Sequence, residues 1–182
     1  MTPYIFEFCG EQLVADPSGA LIWPSRRIAV VADLHLGKGQ ALAQRAGHLL
    51  LPYDTIETLM MLKYLLQRID VDTVLSLGDS FDHKDVGLEA SDLTKLQTLM
   101  SGRTWVWVLG NHDPDLPHPL PGSRVSEYAV GPLNFRHEAS PTLVTGEISG
   151  HLHPKVTVRL RGRRIRGRCF VHDHTRLIVP AF

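Results

Sequence analysis

Three short apolar runs constrain this chain more than anything else in it. They are 28–32 (IAVVA), 73–77 (TVLSL) and 104–109 (TWVWVL). A strand buried on both faces reads as such a continuous run, because neither face meets water. Each run stops abruptly at polar, glycine-bearing sequence: Asp33-Leu34-His35-Leu36-Gly37-Lys38-Gly39, then Gly78-Asp79, then Gly110-Asn111-His112-Asp113. Between the first two, Ile56, Leu59, Leu62, Leu66 and Ile69 recur at spacings of three and four, which predicts a helix over 54–69. Asp54 with Glu57 three later reads as a capping box. A second, shorter helix is expected near 89–100. Strand, polar loop and helix thus repeat. In α/β sheets the loops after strand carboxyl ends converge on one edge, where ligands bind. Residues 33–35, 79 and 111–113 are therefore expected to meet in space.

The flanking sequence is built differently. Residues 4–8 (YIFEF) and 12–15 (QLVA) read as strands, followed by the turn Asp16-Pro17-Ser18-Gly19. After a proline-rich stretch at 114–121, short strands are expected near 124–130, 133–136, 142–148, 155–160, 165–171 and 176–179. With no helices between them, antiparallel pairing is the expectation. The predicted architecture is an α/β fold of two packed mixed β-sheets flanked by helices. No repeat or linker divides the chain, so residues 1–182 read as one domain.

Composition narrows the function. Net charge is zero, so global charge announces no nucleic-acid partner and local clustering carries more information. Cys9 and Cys169 lie in strand-like apolar contexts and read as buried, reduced thiols rather than a disulfide framework. No secretory leader and no stretch of ~20 apolar residues is visible, which predicts a cytoplasmic protein without a membrane partner. Ten histidines is high for 182 residues, and most lie in short polar stretches. Histidine is the commonest protein ligand of transition metals.

Those histidines fall among carboxylates in a way that suits metal chemistry. In Asp33-Leu34-His35, residues two apart on an extended segment face the same way, so carboxylate and imidazole can grip one ion. Asp79 has two oxygens and can bridge two ions. Asn111 offers a neutral oxygen, His112 a proton, and Asp113 a group to orient it. His151 and His153, in Gly150-His151-Leu152-His153, repeat the every-second-residue spacing, and His137 ends a short strand. Singly, each residue has an ordinary alternative as a loop, cap or structural group. Their order is specific: D-x-H, G-D, G-N-H-D, H, G-H-x-H.

This order resembles the calcineurin-like metallophosphoesterase family. The resemblance implies an αββα sandwich with two divalent transition-metal ions. Asp33, His35 and His153 would hold one ion, Asn111, His137 and His151 the other, with Asp79 between them. Mn²⁺ is the metal expected, with Fe²⁺ or Zn²⁺ also suited to this ligand set. A water activated between the ions would attack phosphorus, and His112, oriented by Asp113, would protonate the leaving oxygen.

Substrate contacts are expected from Asp82, His83 and Lys84, which closely follow Asp79. Strand alternation turns Arg136 away from His137. Residues 155–168 hold seven Lys or Arg and no acid. In that hairpin Lys155, Arg159 and Arg161 share one face of the first strand, and Arg164, Arg166 and Arg168 one face of the second. Such a surface suits a phosphate backbone, though charge also protects edge strands from aggregation. The segments Asp16–Leu21, Ala32–Lys38, Leu51–Thr55, Gly78–Asp82 and Pro180–Phe182 resemble the bacterial ligase-associated DNA damage response endonucleases. That resemblance implies a Mn²⁺-dependent phosphodiesterase and DNA endonuclease accompanied by an ATP-dependent DNA ligase, an exonuclease and a helicase. The alternatives are a small-molecule phosphodiesterase or nucleotide pyrophosphatase of the same fold and, against the full ligand set, a non-catalytic interaction scaffold.

Overall fold

The computed structural model describes residues 2–39, 53–82, 88–112, 116 and 120–182. Seven strands form the larger sheet, in spatial order β1 (Tyr4–Phe8), β2 (Glu11–Ala15), β3 (Leu21–Trp23), β4 (Ile28–Ala32), β5 (Thr73–Leu77), β6 (Thr104–Val108) and β7 (Ser123–Val125). The first four pair antiparallel, while β4 through β7 run parallel. Helix α1 (Tyr53–Arg68) follows β4 in the chain and α2 (Ala90–Met100) follows β5. Both helices pack on the same face of this sheet.

Alternation along the apolar runs explains why both faces are buried. Ala29, Val31, Val74, Trp105 and Trp107 face the helices, meeting Leu59, Leu62, Leu65, Leu66 and Leu96. Val30, Ala32, Leu75, Leu77, Val106 and Val108 face the second sheet, meeting Leu133, Phe135, Ile148 and Leu177. Each fully buried side chain of this size contributes roughly 1.5–3 kcal/mol, so the run positions are fixed from two sides.

The second sheet contains β8 (Glu127–Val130), β9 (Leu133–Arg136), β10 (Glu147–Ser149), β13 (Val171–His172) and β14 (Arg176–Ile178). Its spatial order is β13-β14-β10-β9-β8. Here the antiparallel expectation fails at the centre: β10 pairs parallel to both β9 and β14. The connections 137–146 and 150–175 are long enough to return the chain across the sheet without a helix. The segment expected as one strand over 124–130 splits at Ser126. β7 closes the larger sheet and β8 opens the smaller one.

Strands β11 (Lys155–Leu160) and β12 (Arg163–Arg168) make a separate antiparallel hairpin, exposed at every position. Asp54 does not cap α1 from outside. It sits in the first turn, and its carboxylate accepts the Gly39 amide at 2.7 Å. Beside it, buried Thr55 accepts the Gly37 amide at 2.9 Å. The two thiols, free and unlinked, are half-buried rather than fully buried. Among the described residues no helix is long and apolar enough to cross a membrane.

Candidate metal centre

Parallel strands put their carboxyl ends at one edge, and both sheets bring ligand-type residues there. Asp33 directly follows β4, Asp79 lies two residues past β5, and Asn111 three past β6. From the smaller sheet, His137 directly follows β9 and His151 lies two past β10. The loops after β4 and β5 continue side by side: the His35 amide donates to Asp79 O at 2.9 Å and Leu36 to Ser80 O at 2.9 Å. The sheets are tied together at this edge by the His151 amide, which donates to Asp33 Oδ2 at 3.0 Å.

Two groups of donor atoms result, each with all its atoms within 4.8 Å of one another: Asp33, His35 and His153, and Asp79, His137 and His151. In the first, His35 Nε2 faces His153 Nε2 at 3.4 Å, and Asp33 Oδ1 lies 3.4 Å from the latter. In the second, His137 Nε2 lies 3.4 Å from Asp79 Oδ2 and 3.1 Å from His151 Nδ1. The groups are contiguous, since His137 Nδ1 lies 3.8 Å from Asp33 Oδ1.

The backbone is strained where these ligands sit. Asp33, His35, Asp79, His151 and His153 all have positive φ, between 44° and 65°. Left-handed backbone is uncommon outside glycine and persists only where the surroundings over-determine it. Two glycines of the motifs are needed for space. A Cβ on Gly78 would lie 2.3 Å from His137 Nδ1, and one on Gly150 would lie 2.8 Å from Asp33 Oδ2. The glycines in G-D and G-H-x-H are therefore where one sheet lets the other's ligands approach.

Hydrogen bonds outside the groups aim the donors inward. His137 Nδ1 donates to Leu77 O at 3.0 Å, which leaves the Nε2 lone pair toward the centre. Burial pushes the His137 pKa down, yet its bonds to Asp79 and Leu77 O outweigh this and hold it above the usual histidine value. Burial pushes His35 down to about 4, so its ring is neutral and its lone pair free at neutral pH. Its Nδ1 faces the buried Asp82 carboxylate at 3.7 Å. Burial raises Asp33 above the usual carboxylate range, with His153 and His137 opposing the shift. Burial also opposes ionisation of Asp79, but bonds from His137 and the His112 amide prevail and hold it well below that range. Mixed imidazole and carboxylate donors of this kind fit divalent transition metals.

Asn111 is exposed and lines the same cleft as His137. His112 donates its amide to Asp79 Oδ1 at 2.9 Å. Its Nδ1 bonds to the Asp82 main-chain oxygen at 3.0 Å, and its ring meets His35 edge-on with centroids 5.6 Å apart. Asp113, His83 and Lys84 lie outside the described residues. Arg136 points away from the donor atoms, with Glu127 at 3.4 Å and Glu147 at 3.8 Å. Its pairing with Glu127 and Glu147 and the glycine contacts were not legible in sequence, although G-D and G-H-x-H contained the glycines.

The hairpin starts two residues after His153. Its register places Lys155, Arg159, Arg164, Arg166 and Arg168 on one face and Val156, Val158, Leu160 and Ile165 on the other. Arg161 lies in the turn instead, at φ 48°. Arg168 is engaged at the base, donating to the main-chain oxygens of Ala181 and Phe182. The Phe182 amide in turn donates to Ala32 O at 2.9 Å, next to Asp33. The hairpin is thus rooted beside the donor groups.

An α/β double-sheet sandwich with two adjoining carboxylate–imidazole groups at one sheet edge defines the class of dinuclear-metal phosphoesterases. The calcineurin-like phosphoesterase profile matches residues 26–170, and the chain belongs to this family of metal-dependent hydrolases. The crystal structure of the Pseudomonas putida nuclease MPE is similar, at a TM-score of 0.78 and 30% identity, covering 99% of this chain and 86% of that one. No curated protein sequence matches the chain.

Proposed function

We propose that this chain hydrolyses phosphodiester bonds in DNA through two divalent ions, Mn²⁺ being the metal of choice. The observation that carries the reading is the pair of adjoining donor groups with a basic hairpin rooted two residues from one of them. Asp33, His35 and His153 would hold one ion, His137, His151 and Asn111 the second, with Asp79 shared. Bound there, the ions supply Lewis acidity toward the phosphoryl oxygens and an activated water.

The protein's own groups do the rest. His112 is the proton donor, acting as the imidazolium: its Nδ1–H is held by Asp82 O, so the Nε2–H is the one available to the leaving oxygen. As the phosphorus–oxygen bond breaks, the departing oxygen takes that proton, and the water oxygen becomes part of the phosphate product. Asp113 is proposed to assist in holding the imidazole. Asp82 contributes by fixing His112 and facing His35, while His83 and Lys84 are candidates for substrate contact. Arg164 and Arg166, with Lys155 and Arg159, which form no ion pair among the described residues, present their charge to the DNA backbone. Arg168 anchors that surface.

The nuclease neighbour supports DNA as the substrate, and the ligase-associated resemblance implies a place in DNA repair in the bacterial cytoplasm, alongside an ATP-dependent DNA ligase, an exonuclease and a helicase. Incubation with supercoiled plasmid and Mn²⁺, alongside a bis-aryl phosphodiester and a mono-aryl phosphate, tests the reading. Nicking of plasmid and cleavage of the diester are expected. Dominant monoester hydrolysis would contradict the diesterase, and cleavage of only the small diester would contradict the nuclease.

A further inference from the structure

Where the chain crosses from β7 to β8 at Ser126, a cleft of about 550 Å³ opens beside the donor groups. It shares His137 with them and is also lined by Asn111, Leu109, Pro141, Ser126, Arg136 and Glu138. We propose that this cleft is a nucleoside subsite, taking the base and sugar that stay bonded to phosphorus when the ester breaks. The inference rests on the phosphodiesterase reading above and adds to it a substrate group that the metal ligands do not specify.

Size and rigidity are appropriate. Small-molecule sites occupy ~300–1,000 Å³, which accommodates one nucleoside. One wall, residues 138–142, is held in place from behind. The Ser140 amide donates to Glu147 Oε2 at 2.9 Å, and Arg176 Nη2 donates to Ser140 O at 2.7 Å and Thr142 O at 2.5 Å. Arg176 Nε also pairs with Glu147 Oε1 at 3.1 Å, and Glu147 is only 1% exposed. A wall fixed before the ligand arrives spares the entropy of ordering it.

Charge identifies the class of ligand. Arg136 is the cation of this cleft, and it is flanked by Glu127 and Glu147, with Glu138 also on the lining. A guanidinium so balanced is a poor trap for another phosphate. It still offers a planar face for stacking and fixed donors for hydrogen bonds, the features by which arginine meets a nucleobase. Leu109 and Pro141 supply apolar surface, and Ser126 and Glu138 supply polar partners for base edge or sugar. The hairpin is the opposite case, basic and without an ion pair among the described residues, and suits phosphates.

Position decides which side of the scissile bond the nucleoside belongs to. His112 packs against His35 of the first donor group, whereas the cleft contacts His137 of the second. The leaving oxygen is directed to His112, so the unit in the cleft is the one retained on phosphorus.

The test uses the Mn²⁺-loaded full chain and two diesters with the same leaving group, p-nitrophenyl thymidine 5′-phosphate and bis(p-nitrophenyl) phosphate. The wild type is expected to favour the nucleotide ester in kcat/KM. Ser126→Trp, which fills the cleft from an exposed position, and Arg136→Met, which removes its planar cation, should each lower that preference by about tenfold, mainly through KM, as loss of one charged hydrogen bond implies. A wild type with no preference, or variants that keep it, overturns the subsite while leaving the phosphodiesterase intact. A wild type that cleaves neither diester overturns the phosphodiesterase reading and the subsite with it.

Discussion

One residue, Pro154, separates His153 from the hairpin, and the chain changes character completely across it. On one side His151 and His153 occupy left-handed backbone, with the His151 amide gripped by a carboxylate that is itself buried. On the other, β11 and β12 are exposed along their whole length and touch the body of the protein mainly through Arg168 at the base. Metal chemistry needs donor atoms fixed to fractions of an ångström, which only packing from both sheets achieves. Attraction of a phosphate backbone needs only charge of the right sign within about 8–10 Å at physiological salt. The same segment therefore holds a strained, over-determined element and a loosely attached one, each suited to the range of the force it uses.

That contrast predicts a ranking of effects. The largest belongs to Gly78→Ala, which alters no ligand. Its Cβ would meet the His137 ring at 2.3 Å, so bis-aryl phosphodiester turnover should disappear. Turnover at the wild-type level would mean that His137 need not sit where the sheets put it. Next is His112→Ala, which should keep its metal by elemental analysis and lose ~10²–10⁴-fold in rate. Loss of metal instead would place His112 among the ligands. The smallest effect is expected from reversing Arg164 and Arg166 together to Glu. Plasmid nicking at moderate salt should fall by about tenfold, with a shallower dependence on salt concentration because fewer counterions are released. An unchanged salt slope would put the hairpin outside the DNA path.

Much of the strained region was legible in sequence, and the reason is local. IAVVA, TVLSL and TWVWVL announce doubly buried strands, and parallel strands oblige Asp33, Asp79 and Asn111 to share an edge. The smaller sheet was harder. The spacing of His137, His151 and His153 pointed to metal, but the strands leading to them were expected to pair antiparallel. In fact β9 and β10 run parallel, and this places His137 and His151 at the same edge. Strand direction there depends on the long returns of the chain, which leave no periodic signature. Arg136 shows the same limit. Alternation correctly turned it from the donor atoms, yet the cleft it turns into exists only because the chain changes sheets at Ser126. The hairpin's faces followed from period-two alternation, whereas the merging of Lys155 and Arg159 with Arg164 and Arg166 on one face required the observed register.

The most direct test of the central claim is a metal count. Metal-free protein titrated with Mn²⁺, then freed of excess and analysed for metal, should retain two ions per chain, with phosphodiester turnover appearing as the second is bound. Asp79→Asn, which weakens the carboxylate shared between the groups, should retain fewer and turn over none. One ion or none in the wild type, or two ions with full turnover in Asp79→Asn, would contradict the account.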